Sequence, residues 1–427
     1  MKRILLFLLL GVVACGKESG VSPGNASTFV RYFNGGNNDV AASVIQTSDK
    51  GLLILATTQI KLSELSVARY KIKLIKTDAN GNELWQRFYP EFAPSKEVVS
   101  DTSNYQAGGI YVLGDGTIAI AGTHILKSGL SNVLLLTTDK EGLNPKDITL
   151  FSQKNTIGTA VSVTPFNGST QYLISGTILD EGIKENLFVA RVNTQLTASP
   201  WSTAYGNGIV VSMANKVYLD PSNSFLFSGG TINRTSTTAI RLADVQIDTL
   251  NPGAIVSDVP IGNPAFNVVG NDFCRFGQTW AFVGSTDEKK DGTVGDFDIL
   301  YERVDLNQGI VLSHQTFPID GVGPTHDGSK QNDVGNSICT TQDGGLLLLG
   351  TVNSQGAFGR GGKDYYLIKI NAFGTVEWTE LYGSKFDDNG VQVIQASDGG
   401  YIVLGTTTLA NLKSIMLMKT GKDGKIQ

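Results

Sequence analysis

Histidine, cysteine, methionine and tryptophan are scarce in this chain, with 3, 3, 4 and 4 copies among 427 residues. His124, His314 and His326 stand far apart, without the close ligand spacing of a zinc centre. Charged residues make up only 17% and the formal net charge is -5, so there is no basic footprint for nucleic acid. A Gly-x-Ser-x-Gly nucleophile turn is missing. No segment after residue 15 is apolar enough to span a bilayer, and no helical period with capping residues competes with the strand pattern.

Glycine, at 50 residues, is abundant, as in an exported, turn-rich β-protein. The chain opens Met1-Lys2-Arg3, and an apolar run from Ile4 to Ala14 follows. That run is about half the roughly 20 residues of a membrane-spanning helix, and its basic flank fits an export leader. Its end, Val12-Val13-Ala14-Cys15, resembles the lipobox of bacterial lipoproteins, which implies cleavage before Cys15 and lipidation of that residue. The expected division is a signal peptide over 1–14, a lipidated cysteine and tether over 15–28, and a folded domain over 29–427. Gly16 stands where an Asp resembles an inner-membrane retention signal, and Lys17-Glu18 resembles a shortened surface-export tag. The resemblance implies the outer membrane, exposed at the cell surface. Lys2 and Arg3 leave with the leader, so the mature chain carries about -7.

A short apolar strand ending in Gly-Thr recurs along the chain. It reads Ile118 to Thr123, Leu173 to Thr177, Phe227 to Thr231, Phe282 to Ser285, Leu348 to Thr351 and Val403 to Thr406, with Leu53 to Thr57 as a first copy carrying Ala56 for Gly. From Ala56 onward the spacings are 66, 54, 54, 54, 66 and 55 residues. Each unit reads as four strands, with tight Gly turns such as Gln342-Asp343-Gly344-Gly345 and Asn371-Ala372-Phe373-Gly374. Seven such units without helix predict an all-β fold, a single seven-bladed β-propeller with four antiparallel strands per blade.

The last unit stops at Gln427, where its fourth strand has only begun. Phe29-Val30-Arg31-Tyr32-Phe33 reads as the missing strand, because residues 34–51 align without a gap to residues 383–400. The N-terminal strand is therefore expected to complete the last blade and close the ring, which also pairs an otherwise open edge. Cys274 and Cys339 fall on the innermost strands of neighbouring units. They are expected as small apolar thiols, with a disulfide as the alternative.

Residues Lys369 to Trp378, followed by Tyr382-Gly383 and Asp387-Asp388, resemble the seven-bladed β-propeller repeat (SBBP-like) family of exported bacterial proteins, and Thr77 to Trp85 is similar. The resemblance implies the propeller fold and an envelope location, and no activity. The Asp-x-x-Gly-x-x-x-Trp phrase also resembles quinoprotein-type propellers. That family carries Trp in most blades, and here only Trp85, Trp201 and Trp378 could serve, which argues against a quinone cofactor. The sialidase-type box Ser-x-Asp-x-Gly-x-Thr-Trp is missing.

The a–b and c–d turns of each unit fall on one end and are short. The b–c and d–a loops fall on the other and hold the long insertions, where binding is expected on a rigid scaffold. Candidate ligand-binding residues there are Phe92, His326, Phe358 and Arg360. Asp287, Asp291, Asp296 and Asp298 cluster on one loop and are the candidate Ca²⁺ ligands, although their spacing is not that of an EF-hand. No other cofactor is expected. The leading expectation is a monomeric, membrane-anchored, non-catalytic binding or scaffold propeller, with an envelope protein or an extracellular glycan as partner. The alternative is a surface glycan-degrading enzyme with two carboxylates in the central channel.

Overall fold

The computed structural model describes residues 28–60, 68–90, 103–150, 155–166, 169–180, 184–205, 212–220, 225–233, 240–248, 255–261, 263, 265–289, 292–305, 308–317, 332–353 and 362–426. The strands are β1 (Phe29–Phe33), β2 (Asn38–Gln46), β3 (Leu52–Ile60), β4 (Arg69–Thr77), β5 (Glu83–Tyr89), β6 (Asn104–Val112), β7 (Ile118–Ile125), β8 (Ser131–Thr138), β9 (Lys146–Leu150) and β10 (Asn155–Phe166). They continue as β11 (Ser169–Asp180), β12 (Lys184–Asn193), β13 (Ala198–Tyr205), β14 (Ser212–Asp220), β15 (Phe225–Asn233), β16 (Ile240–Asp248), β17 (Ile255–Ile261), β18 (Val268–Phe276) and β19 (Thr279–Glu288). The remainder are β20 (Val294–Asp305), β21 (Ile310–Phe317), β22 (Val334–Thr340), β23 (Leu346–Asn353), β24 (Lys363–Ile370), β25 (Val376–Tyr382), β26 (Asp388–Gln395), β27 (Tyr401–Leu409) and β28 (Leu412–Thr420).

Among the described residues these form seven four-stranded antiparallel sheets. The first to sixth are β2–β5, β6–β9, β10–β13, β14–β17, β18–β21 and β22–β25. The seventh takes β26, β27 and β28 together with β1, whose Phe29 faces Lys419 and whose Phe33 faces Ile415. The first strand of each sheet touches the first strand of the next, and β26 touches β2. The architecture is that of a β-propeller.

The two middle strands of a sheet are apolar on both faces because sheets pack on both of their sides. Leu346 to Leu349 on β23 are all fully buried. The apolar clusters accordingly span neighbouring sheets. One joins Val44 and Ile54 of the first sheet to Ile402, Leu404 and Ile415 of the seventh. Another joins Leu347 and Leu367 of the sixth to Val403 and Met416 of the seventh. Each such side chain contributes about 1.5–3 kcal/mol by burial.

The recurring Gly-Thr phrase has a physical cause at these junctions. The Thr hydroxyl accepts a backbone N–H from the first strand of the next sheet. Thr57 takes Ala107 (2.9 Å), Thr123 takes Gly158 (3.1 Å), Thr351 takes Gly390 (2.8 Å) and Thr406 takes Ala41 (3.0 Å). The accepted N–H lies at a β-bulge that recurs in each first strand, as between Ala41 and Ser43 and between Gly390 and Gln392. A bulge frees a backbone group from its own ladder, and the threonine satisfies it. The preceding glycine is required by space, since a Cβ on Gly122 would meet the Gln106 carbonyl oxygen at 2.5 Å.

A second latch sits at the loop end of the junctions. Asn104, Asn155, Asn332 and Asp387 each accept a backbone N–H near the start of the third strand in the preceding sheet, from Tyr70, Ser131, Phe297 and Lys363 respectively. Asn38 does the same for Lys413 of the seventh sheet (3.0 Å). The short turns occupy the opposite end. There Phe29 packs against Gly81, whose φ of 76° marks the turn between β4 and β5. The described chain thus begins at the short-turn end, away from the b–c and d–a loops.

Candidate active site at the junction of the sixth and seventh sheets

The residues singled out from the sequence divide into two groups. Phe92, His326, Phe358, Arg360 and Asp291, like Cys15, lie outside the described residues. Asp287, Asp296 and Asp298 are described, and they do not form an oxygen cage. The Lys289 ammonium lies between Asp296 (2.6 Å) and Asp298 (2.8 Å), so a fixed cation already neutralises both. Asp287 turns away to take the backbone N–H and side-chain amide of Asn267, at 2.8 and 2.6 Å. The three described carboxylates of the calcium expectation thus have partners within the chain. Cys274 and Cys339 are half-buried thiols that form no disulfide and pack in separate clusters.

On the innermost strand β18, Asp272 is engaged, accepting the Phe273 N–H and, across the junction, the Ser337 hydroxyl and the Ile338 N–H. Gln392 makes the corresponding contact to Ser43 and Val44. These groups stitch neighbouring sheets together.

A pair of acids lies at the loop end, between the sixth and seventh sheets. Asp364 begins β24 and Asp388 begins β26, and their relative exposures are 0% and 2%. Both meet the connection that follows β25. Asp388 accepts the Ser384 N–H at 2.6 Å, while a Cβ on Gly383 would fall inside the Asp364 carboxylate.

Between these acids stands Tyr365, almost fully buried, with its ring against Gly405. Its hydroxyl has no hydrogen-bond partner among the described residues, and neither do the hydroxyls of Thr407 and Ser414 on the facing sheet. Thr407 pairs with both Asp388 and Ser414 in register, so the three share one face. Burial raises the Tyr365 phenol well above its ordinary value, and the nearby charges of Asp388 and Asp364 add to it. Tyr32 on β1 is half exposed at the rim; burial raises its pKa, and so does Asp388.

The polarity is specific to this junction. The slot of Tyr365 is filled by Ile72, Val133, Ile299 and Ile415 in sister sheets, each paired to the residue after the strand-b Gly or Ala. A tyrosine with an unsatisfied hydroxyl in a slot that elsewhere holds an aliphatic carries a desolvation cost without a packing reason. The reading of the sequence missed these residues. The available signal was a polar residue breaking the repeat's own apolar pattern, legible only once the units are aligned strand by strand.

No family model matches the chain, and no curated protein matches it in sequence. Solved structures do resemble it in fold. The endosialidase of phage phi92 aligns over 92% of this chain and 69% of its own, at 12% identity and a TM-score of 0.48. The sialidase NanB of Streptococcus pneumoniae aligns over 93% and 69%, at 11% identity and 0.44. The GH93 α-L-arabinofuranosidase of Fusarium graminearum aligns over 73% and 92%, at 11% identity and 0.48. The resemblance is to β-propellers. The activities named belong to those proteins, and at these identities the likeness is one of fold.

Proposed function

We propose that this chain is a glycoside hydrolase whose site lies at the loop end of the junction between the sixth and seventh sheets. The observation that carries the reading is that the buried Asp364 and Asp388 carboxylates meet the adjacent residues Gly383 and Ser384, as a reaction using two carboxyl groups about one glycosidic bond requires. One carboxyl donates a proton to the leaving oxygen. The other, as carboxylate, assists the attack at the sugar carbon. The Tyr365 hydroxyl, free of internal partners, is placed to bond a substrate hydroxyl, and Tyr32 offers an aromatic face at the rim. Gly383 and Ser384 lie against the pair and must yield to a bound glycan.

The reading extends to the whole chain. The seven sheets are taken as the blades of one closed ring, supported by the β1–β28 pairing and by the Asn38 and Thr406 latches across the first and last sheets. Cys15 is taken as a lipidated anchor in the outer membrane, on the strength of the leader and lipobox, with the repeat of SBBP-like exported proteins. The described chain begins at the short-turn end, so an anchor there leaves the candidate site on the far end, towards extracellular glycan.

The test is release of reducing ends from a panel of polysaccharides by the purified chain, beside Asp364→Asn and Asp388→Asn. Each variant should lose about a hundredfold or more in rate, the contribution of one positioned acid or base. Wild-type rates in both variants, with melting temperatures unchanged, would remove these residues from the site. An inactive wild type across the panel would remove the reading itself.

A further inference from the structure

The repeat places a cation at one slot of the third strand in several sheets. Lys76, Lys369 and Lys419 stand there, opposite Leu53, Leu347 and Ile402. Each reaches an aspartate in the a–b turn of its own sheet. Lys76 meets Asp49 at 2.9 Å, Lys369 meets Asp343 at 3.0 Å, and Lys419 meets Asp398. The cation and its turn carboxylate form a staple internal to the sheet.

Arg303 occupies this slot in the fifth sheet, opposite Ala281. Its turn is shorter and reads Gly277-Gln278, with no acid. The guanidinium lies over the Phe276 ring at 5.0 Å and donates its Nε–H to the Thr279 hydroxyl at 2.9 Å. That uses one of the five N–H donors of an arginine. No ion pair forms at Arg303 among the described residues. Asp343, in the a–b turn of the sixth sheet, is matched by Lys369. Beside Arg303 opens a cavity of about 360 Å³ between the fifth and sixth sheets, lined also by Phe276, Thr340, Thr341, Gly344 and Ala372.

We propose that this cavity binds a small molecule through an oxyanion group, carboxylate or phosphate, which gives Arg303 the counter-ion that its sister cations find in their own turns. Guanidinium forks bind such groups with two parallel hydrogen bonds. The Thr340 hydroxyl adds a donor at the rim, and Phe276 and Ala372 offer an apolar wall for the carbon skeleton. The volume suits one sugar-sized molecule. Two sources carry this chemistry, an acidic sugar and a phosphate headgroup. The inference is independent of the Asp364–Asp388 site, which lies at the opposite end of the sheets.

Calorimetric titration of the purified chain with glucuronate, inorganic phosphate and glucose tests it. At least one anion should bind and glucose should not, with glucuronate or phosphate identifying the source. Arg303→Gln should weaken binding roughly tenfold or more, the worth of a charged hydrogen-bonded contact. Gln278→Asp, which rebuilds the acid of the sister turns, should weaken it comparably while the melting temperature holds or rises. Glucose binding as tightly as the anions, anion binding unchanged in Arg303→Gln, or no anion binding would overturn the proposal.

Discussion

The hydroxyl of Thr406 accepts the backbone N–H of Ala41 at 3.0 Å across 365 positions of sequence. The contact is the same one that Thr351 makes to Gly390 at an internal junction. The first and last sheets are therefore latched by the device that latches consecutive ones. Thr406→Val keeps the shape and removes the acceptor, leaving a buried N–H unsatisfied. Denaturant unfolding should show a loss of about 1–3 kcal/mol, with a similar loss for Thr351→Val. A Thr406→Val chain as stable as wild type would mean that the two sheets are not docked in solution.

Removing residues 28–34 takes β1 away from β28 and deletes Phe29 and Phe33 from the shared apolar cluster. It also leaves β28 as an open edge. The truncated chain should melt far below wild type and aggregate on heating, as followed by light scattering. An unchanged melting temperature would contradict the β1 assignment.

Lys73 and Asp39 form an ion pair of 2.7 Å with side-chain exposures of 4% and 0%. Sister sheets place Leu134, Phe188, Leu300 and Met416 in the Lys73 slot. Lys73→Met should strand the Asp39 carboxylate and cost about 3–5 kcal/mol, whereas pairing it with Asp39→Val should restore most of the loss. Chemical denaturation of the single and double variants checks the difference.

The pH response has a sign that follows from His314. Its Nδ1 lies 2.6 Å from the buried Glu302 carboxylate and its Nε2 3.4 Å from Glu288. The hydrogen bond to Glu302 raises its pKa, against the opposing pull of burial. The folded state thus binds its proton more tightly than the unfolded chain, where histidine titrates near 6.5. The stabilisation is fully present below about pH 6.5 and is lost as pH rises through the folded value. His314→Gln should flatten this limb of the stability profile. Asp49 acts oppositely. Hydrogen bonds from Thr47 and Lys76 outweigh its partial burial and lower its pKa to about 2, so its contribution holds above the ordinary carboxylate range and fades as pH falls towards 2.

Tyr365→Phe separates packing from chemistry. The ring keeps its contact with Gly405 and an unpartnered buried hydroxyl disappears. Stability should hold or rise by up to about 1 kcal/mol. Glycan turnover should fall, since the hydroxyl is assigned to substrate. Loss of stability together with unchanged turnover would return Tyr365 to a structural role.

Strand positions, tight turns and the unit length were legible in the sequence because their causes are local. Apolar runs at strand spacing, Asp-Gly turns and the Gly-Thr phrase act over a few residues, and seven near-copies make each one readable against the rest. The pairing of Phe29 to Phe33 with β28 was also readable, since residues 34–51 repeat residues 383–400.

The sequence by itself determined strands, turns and the order in which units follow one another. Tertiary structure alone decided which polar side chains meet. It put Lys289 between Asp296 and Asp298, where the clustering of aspartates had raised a calcium candidate. It brought Asp364 and Asp388 to consecutive residues of one loop, and it left Arg303 beside a cavity without the turn acid of its sisters. The physical reason is that a strand's periodicity fixes which way a side chain points. What it meets there is set by the neighbouring sheet, through packing and hydrogen bonds that no local pattern encodes.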